Sequence, residues 1–378
     1  MAVLSEEQVM LQEAAKNWTR EVAPVTAFRA LRDSANREGF DRNLWRQMCE
    51  MGWAGILIPE SYGGSGLDFL SIGLVLEETG RTLTASPLLS TALVAATALL
   101  LAGNDRQKGE WLPKFAAGEA LGALAVDEGA HHAPRRVALT ARRAGAGFVL
   151  SGTKSFVVDG AVADILVVAA RTSGKAGDEN GVTLFLVPGN HPGVVRTPLH
   201  MADSRAAARL QFRDVDVTLD TVLGEVDKGF GVLDAILDRS RAGLAAEMLG
   251  HAAQSFEVTL DYLKTRTQFG QLIGAFQVLQ HRAARMYTEL ELTRSCVEAA
   301  LIACDRGSTD VPALCSLAKA RAGDLVHLVS NEMVQMHGGI GMTDAHDAGL
   351  YLKRARVSEA TYGSPAFHRD RYARLMGY

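Results

Sequence analysis

GFVLSGTKSFVVDGAVADILVVAAR, residues 147–171, is where the chain changes texture, and that change decides the fold. Phe148–Leu150, Phe156–Val158 and Asp164–Ala170 are short runs of β-branched and aromatic residues, the composition of strands. Val182–Val187, Gly193–Arg196 and Leu210–Val217 continue the pattern, so it fills roughly residues 121–225. Gly145-Ala146-Gly147, Gly174-Lys175-Ala176-Gly177, Pro188-Gly189 and Pro192-Gly193 punctuate it as turns. Many short strands at such spacing predict a small antiparallel barrel or sandwich.

On both sides the period is helical. Leu4 to Ala30, Arg42 to Met51, Phe69 to Thr82 and Ser86 to Leu101 carry apolar residues at helix spacing. Pro59-Glu60-Ser61-Tyr62-Gly63-Gly64-Ser65-Gly66 breaks them, and Ser5-x-x-Gln8 reads as a capping box. After Gly229 the helices lengthen. Leu279, Ala283, Met286, Leu290, Val297 and Leu301 keep one stripe. Pro312 to Met336 predicts another helix ended by Gly338-Gly339, and shorter helices follow from Asp347 and from Ala366. Long helices with short connections predict an antiparallel bundle. The expected class is therefore α+β: an N-terminal helical domain (1–120), a middle antiparallel β-barrel domain (121–225) and a C-terminal four-helix bundle (226–378). Strands do not alternate with helices, which disfavours a Rossmann fold, and Gly63-Gly64-Ser65-Gly66 follows no predicted strand.

The chain has 378 residues, too many for one comfortable core. Its 48% hydrophobic and 22% charged content is that of a globular protein. A formal net charge of −4 supplies no basic field and disfavours nucleic acid as partner. The four cysteines (Cys49, Cys296, Cys304, Cys315) include no CxxC pair and read as reduced residues of a cytoplasmic protein. The acidic N-terminus lacks signal-peptide character, and Thr91 to Ala102 is too short for a membrane helix. His131 and His132 read as loop histidines, so no metal is expected.

Within Leu233 to His251, a carboxylate sits where an apolar side chain belongs. Leu233, Leu237, Ser240, Leu244, Glu247 and His251 form one helical stripe. Ala245, Ala246, Met248 and Leu249 surround Glu247 with apolar surface. Burial there disfavours the charged form, the setting of a general base near neutral pH. The competing reading is a helix-edge Glu paired with Arg239 or Arg241.

Two later clusters suit an anionic cofactor. Arg266-Thr267-Gln268-Phe269-Gly270, with Gln277 beyond it, joins a cation, amides and an aromatic plate. Gln335-Met336-His337-Gly338-Gly339-Ile340-Gly341 offers backbone N–H groups through its glycines. Taken singly, each is equally a capped helix end or a tight turn.

In this order these motifs resemble the acyl-CoA dehydrogenase family. Pro59–Leu67 and Leu150-Ser151-Gly152-Thr153-Lys154-Ser155-Phe156-Val157 extend the resemblance over nearly the whole chain. The resemblance implies α,β-dehydrogenation of an acyl-CoA thioester, as in β-oxidation of lipids. A Glu takes the α-proton, hydride passes to N5 of FAD, and electrons go on to an electron-transferring flavoprotein. It also implies a tetramer with FAD at subunit interfaces. By position, Arg266, Gln268, Phe269, Ile273, Gln277, Gln335, Gly338 and Gly339 would meet the adenosine and pyrophosphate of a neighbour's FAD. Asp238 and Arg241 match positions near substrate and base.

Three departures mark the chain. Many members carry the base in Tyr-Glu-Gly-Thr, where this chain has Tyr362-Gly363-Ser364-Pro365. Others carry it at the place of Ser240, and Glu247 lies two turns further on the same face. Glu247 is therefore the expected base and Glu359 the rival, the latter resembling a surface partner of Arg356. The flavin-side loop, commonly Thr-Glu-Pro-Gly-x-Gly-Ser-Asp, reads Asp127-Glu128-Gly129-Ala130-His131-His132-Ala133-Pro134. Backbone at Val126 and Asp127, with Phe156 as a plate, would then meet the ring, while Val158 lacks the family's hydroxyl. Three functions follow: an active dehydrogenase, an accessory chain sharing FAD in a heterotetramer, or a flavin oxidase or monooxygenase on the same fold. A base on the first bundle helix goes, in the family, with branched or polycyclic acyl groups.

Overall fold

The computed structural model describes residues 3–34 and 36–378. The first region contains α1 (Glu6–Glu21), α2 (Val25–Asp33), α3 (Arg42–Glu50) and α4 (Phe69–Arg81). A π-helical segment, Leu88–Ala95, runs into α5 (Ala96–Ala102), and α6 (Asp105–Ala116) follows. The Ser5 capping box forms, with Gln8 N on Ser5 Oγ at 3.2 Å and Ser5 N on Gln8 Oε1 at 3.1 Å. The single helix expected from Leu4 to Ala30 is two, because Pro24 has no N–H to continue α1.

Eight strands follow: β1 (Gly122–Ala125), β2 (Thr140–Ala144), β3 (Gly147–Val158), β4 (Ile165–Arg171), β5 (Val182–Pro188), β6 (Val194–Pro198), β7 (Ala207–Thr218) and β8 (Val222–Leu223). They form one sheet in the order β6-β7-β3-β2-β4-β5-β8, with β1 beside β4. This corrects the expected antiparallel barrel in two respects. The pairing among the described residues is a path with ends at β6 and β8 rather than a closed ring. It is also mixed, since β1 pairs β4 in parallel, Gly122 opposite Ile165 through Ala125 opposite Val168. The sequence period cannot reveal this, because β1 and β4 are buried on both faces and show no alternation. Leu139, Phe148, Leu150, Leu166, Phe185 and Phe212 contribute to the core of this sheet.

The helices of the last region are α7 (Gly229–Thr265), α8 (Gln277–Arg306), α9 (Val311–His337), α10 (Ala348–Ala360) and α11 (Pro365–Leu375). A two-stranded hairpin, β9 (Thr267–Gln268) and β10 (Gln271–Leu272), joins α7 to α8. The chain divides into two compact units. One comprises Met1–Ala30, Phe69–Thr84 and Arg241–Tyr378, the other Leu31–Asp68 and Ala85–Ser240. In the first unit α4 and α7 meet backbone to backbone. A Cβ on Gly80 would lie 2.1 Å from Glu247 O, and one on Gly250 would lie 1.7 Å from Glu77 O. Only glycine allows that approach, and it fixes the height of Glu247 on α7.

Among the described residues no helix is long and apolar enough to cross a membrane.

Candidate active site

The α7 stripe forms as the spacing predicts: Leu233, Leu237, Ser240, Leu244, Glu247 and His251 are all buried. Ser240 Oγ donates to Ile236 O at 2.8 Å, so its hydroxyl is committed to its own helix.

Glu247 is 5% exposed, but its setting is not the purely apolar one the sequence suggests. Its Oε1 accepts from Arg354 of α10, Nε at 3.0 Å and Nη2 at 2.8 Å. Neither arginine named from the sequence supplies this bond. Arg239 donates to Ala235 O at 3.0 Å, along its own helix. Arg241, 0% exposed, donates Nε to Tyr362 O at 3.3 Å, and its guanidinium lies 5.6 Å over the Phe367 ring. A buried carboxylate requires hydrogen-bonding partners. Here one partner, Arg354, comes from a helix that only the fold brings alongside. Asp238, one turn before Arg241, is also buried.

Arg241 belongs to a second arrangement that the sequence did not disclose. The turn after α10 has Tyr362 at φ +56° and Gly363 at φ +114°. Tyr362 O also faces His368 Nε2 at 3.1 Å. Lys319 on α9 donates Nζ to Ser358 O (3.0 Å), Glu359 O (3.1 Å) and Gly363 O (3.0 Å). Burial pushes the Lys319 amine down to about 7; Glu359 opposes the shift, while Arg241 and Arg354 add to it. The one hint in the sequence is a lysine flanked by Ala318, Ala320 and Ala322, on the face a bundle helix would bury. Glu359 pairs with Arg356 Nη1 at 3.3 Å and with His327 at 3.3 Å, as a partner on the helix surface.

The cofactor motifs of the last region come together at one end of the helices. Tyr262 stacks on His337 at 4.3 Å, and its hydroxyl donates to His337 O at 3.4 Å. Arg266 N bonds Tyr262 O at 2.9 Å, which sets the start of the hairpin beside the His337-Gly338-Gly339 turn. Burial lowers the His337 pKa, and its Nδ1 lies 2.7 Å from Met333 O. Phe269 (φ +53°) and Gly270 (φ +79°) make the two-residue hairpin turn, leaving Phe269 91% exposed. The side chains of Arg266, Gln268, Gln277 and Gln335 make no hydrogen bond to any other described residue. No atom lies within 4 Å of a Cβ built on Gly338 or Gly339. Ile273 is buried, and its N bonds Arg266 O at 2.9 Å, so it supports the hairpin from beneath.

In the sheet unit, the loop after β1 is tied by its own carboxylates. Glu128 Oε1 accepts from Ala138 N (3.0 Å), Leu139 N (2.9 Å) and Lys154 Nζ (2.7 Å). Lys154 Nζ also donates to Val126 O at 2.9 Å; burial lowers its pKa, and Glu128 opposes the shift. Asp127 bonds His132 Nδ1 at 2.8 Å and Ala133 N at 3.0 Å, and Asp127 O accepts from Ser155 N at 2.7 Å. At the register shift between Lys154 and Val157, Phe156 takes φ +54° and stays 48% exposed. A bulky residue held in the left-handed region at a bulge is a strained, outward-turned plate. Val158 is half-buried and pairs with Ala207.

These residues fit FAD. A guanidinium and three amides without intrachain partners, beside two glycines open to solvent, suit a pyrophosphate and adenosine. Phe156 offers the ring an aromatic face, with no hydroxyl at Val158.

Three family models match in sequence order: acyl-CoA dehydrogenase N-terminal domain over residues 5–119, middle domain over 126–215 and C-terminal domain over 227–377. The acyl-CoA dehydrogenase IpdE2 of Mycobacterium tuberculosis is 33% identical over 95% of this chain and 94% of its own length. The structure of butyryl-CoA dehydrogenase from Megasphaera elsdenii superposes with a TM-score of 0.91 at 26% identity, over 100% of this chain and 99% of that one. A chain of the ChsE4-ChsE5 complex of Mycobacterium tuberculosis superposes with a TM-score of 0.90 at 27% identity, over 100% of both. Models covering most of the chain, in the order of its helical, sheet and helical regions, show that it belongs to the acyl-CoA dehydrogenase family of FAD-dependent oxidoreductases.

Proposed function

We propose that this chain catalyses α,β-dehydrogenation of an acyl-CoA thioester with Glu247 as the base that takes the α-proton. The observation that carries the reading is a carboxylate buried on the inward stripe of α7, two turns beyond a Ser240 whose hydroxyl is spent on its own helix. Bound FAD supplies the acceptor, at N5, for the β-hydrogen leaving as hydride. A free Glu, with a pKa of ~4.3, is far too weak a base for an ordinary C–H. The site must therefore stabilise charge developing on the thioester oxygen. We assign Arg241 to holding the Tyr362 turn at the substrate, with Asp238 beside it. Arg266, Gln268, Phe269, Gln277, Gln335, Gly338 and Gly339 are assigned to the adenosine half of a neighbouring subunit's FAD, with Ile273 supporting them. Val126, Phe156 and Val158 are assigned to the ring half. Segments 1–120, 121–225 and 226–378 serve as the three domains of each subunit of a tetramer. An electron-transferring flavoprotein takes the electrons, in the cytoplasm.

Glu247→Gln tests the base. It should abolish turnover and exchange of the substrate α-proton while FAD stays bound; a variant that still turns over removes Glu247 from the role.

A second reading, an accessory chain that shares FAD in a heterotetramer, is favoured by one feature. Asp127 is consumed within its own loop, where the family carries the hydroxyl of a Thr. The ChsE4-ChsE5 neighbour is likewise a complex of two different chains. The visible spectrum and native mass of the chain purified alone separate the readings. A yellow tetramer with stoichiometric FAD supports the enzyme, and a colourless protein supports the accessory role.

A further inference from the structure

Glu247 takes its setting from α10. Two bonds from Arg354 reach the same oxygen, Oε1, and the two side chains are 10% and 6% exposed. The helix that presents Arg354 is itself pinned at both ends. One turn beyond Arg354, Ser358 O and Glu359 O receive the buried Lys319 amine. One turn before it, Tyr351 donates its hydroxyl to Arg81 O at 2.5 Å. Arg81 follows Gly80, the residue that lies against the backbone of Glu247. The guanidinium is thus placed against the carboxylate by four helices, α4, α7, α9 and α10.

We propose that Arg354 is a positioning residue for the reaction: it holds Glu247 in one orientation and keeps its carboxylate charged, the form that accepts a proton. The proposal rests on the reading of Glu247 as base. An adjacent cation favours the ionised form of a carboxylate, so Arg354 governs the pH at which the base becomes available. When the proton passes from the substrate α-carbon to Glu247, the pair loses its Coulomb attraction, and that loss favours returning the proton to solvent. Other titratable or charged groups on the elements packed around Glu247 include Asp238, Arg241 and His251 on α7, Glu77, Glu78 and Arg81 on α4 with Arg294 of α8 paired to Glu77, Tyr351 and Glu359 on α10, and Lys319 on α9.

The test is an infrared titration of the FAD-loaded protein, taking wild type minus Glu247→Gln to isolate the carboxyl band of Glu247. The same difference is then taken between Arg354→Gln and the double variant Arg354→Gln/Glu247→Gln. In the Arg354→Gln background the protonated band should persist about one pH unit or more higher than in wild type. The acid limb of kcat/KM should move by the same amount. Arg354→Lys restores the charge without the bidentate fork, so its titration should stay with wild type while its kcat falls. A band that titrates identically in wild type and Arg354→Gln overturns the proposal. If Arg354→Gln does not fold, a titration displaced upward in Arg354→Lys overturns it equally. Turnover surviving in Glu247→Gln instead removes the base reading, and is seen separately from any movement of the band.

Discussion

Lys319→Met removes a fully buried amine while keeping the unbranched length of the side chain. Wild-type Nζ donates to three backbone carbonyls at 3.0, 3.1 and 3.0 Å. A hydrogen bond contributes a net of about 1 kcal/mol, and an orphaned buried acceptor costs about 1–3 kcal/mol. The neutral amine keeps two N–H donors, so losing both bonds and leaving their buried acceptors orphaned destabilises the variant by roughly 3 kcal/mol. Against this stands burial of the ammonium, which lowers the Lys319 pKa from 10.5 to about 7. Within that window the unfolded chain holds a proton that the folded chain has released. Wild-type stability therefore rises as pH increases from about 7 toward 10.5, and the cost of burying the charge is fully present and constant below about 7. Integrated between pH 7 and pH 9, the linkage amounts to about 2 kcal/mol. Methionine has no such dependence. The deficit of the variant should then be roughly 3 kcal/mol at pH 9 and shrink to roughly 1 kcal/mol at pH 7. Urea unfolding of both proteins at pH 7, 8 and 9, followed by circular dichroism, measures it through midpoints and slopes. A deficit that is constant with pH, or largest at pH 7, refutes the reasoning.

Arg266→Ala removes the cation of the hairpin and should weaken FAD binding by roughly tenfold to a hundredfold, the value of a charge-assisted bond. Flavin absorbance after exhaustive dialysis reads this, and unchanged flavin content removes Arg266 from the cofactor site. Gly250→Ala places a methyl 1.7 Å from Glu77 O, a backbone atom that cannot swing away, so α4 and α7 must separate. Overpacking of this kind costs about 1–3 kcal/mol, seen as a lowered urea midpoint. A variant as stable as wild type contradicts the close approach of the two helices.

Much of the architecture was legible because it is local. The Ser5 capping box, the ends of α4 and α9, and the buried stripe of α7 each follow from side chains a few residues apart. The order of helices, strands and helices, and with it the family, was written in sequence-local periodicity and motifs. Even the position of Glu247 on the inner face followed from a 3.6-residue period.

What the period could not contain is which helix would stand opposite. Arg354 lies more than a hundred residues from Glu247, and nothing near either residue marks the other. Lys319 reads as an ordinary helical lysine until α10 places the carbonyls of Ser358 and Glu359, and the turn after it that of Gly363, around its amine. The parallel pairing of β1 with β4 and the open path of the sheet were equally hidden, since strands buried on both faces carry no alternation to register. The sequence by itself determined which apolar faces are buried, because burial of apolar surface is periodic along each element. Tertiary structure alone decided which charges are paired in that interior, because a buried charge must be matched by whichever partner the packing brings within hydrogen-bond reach.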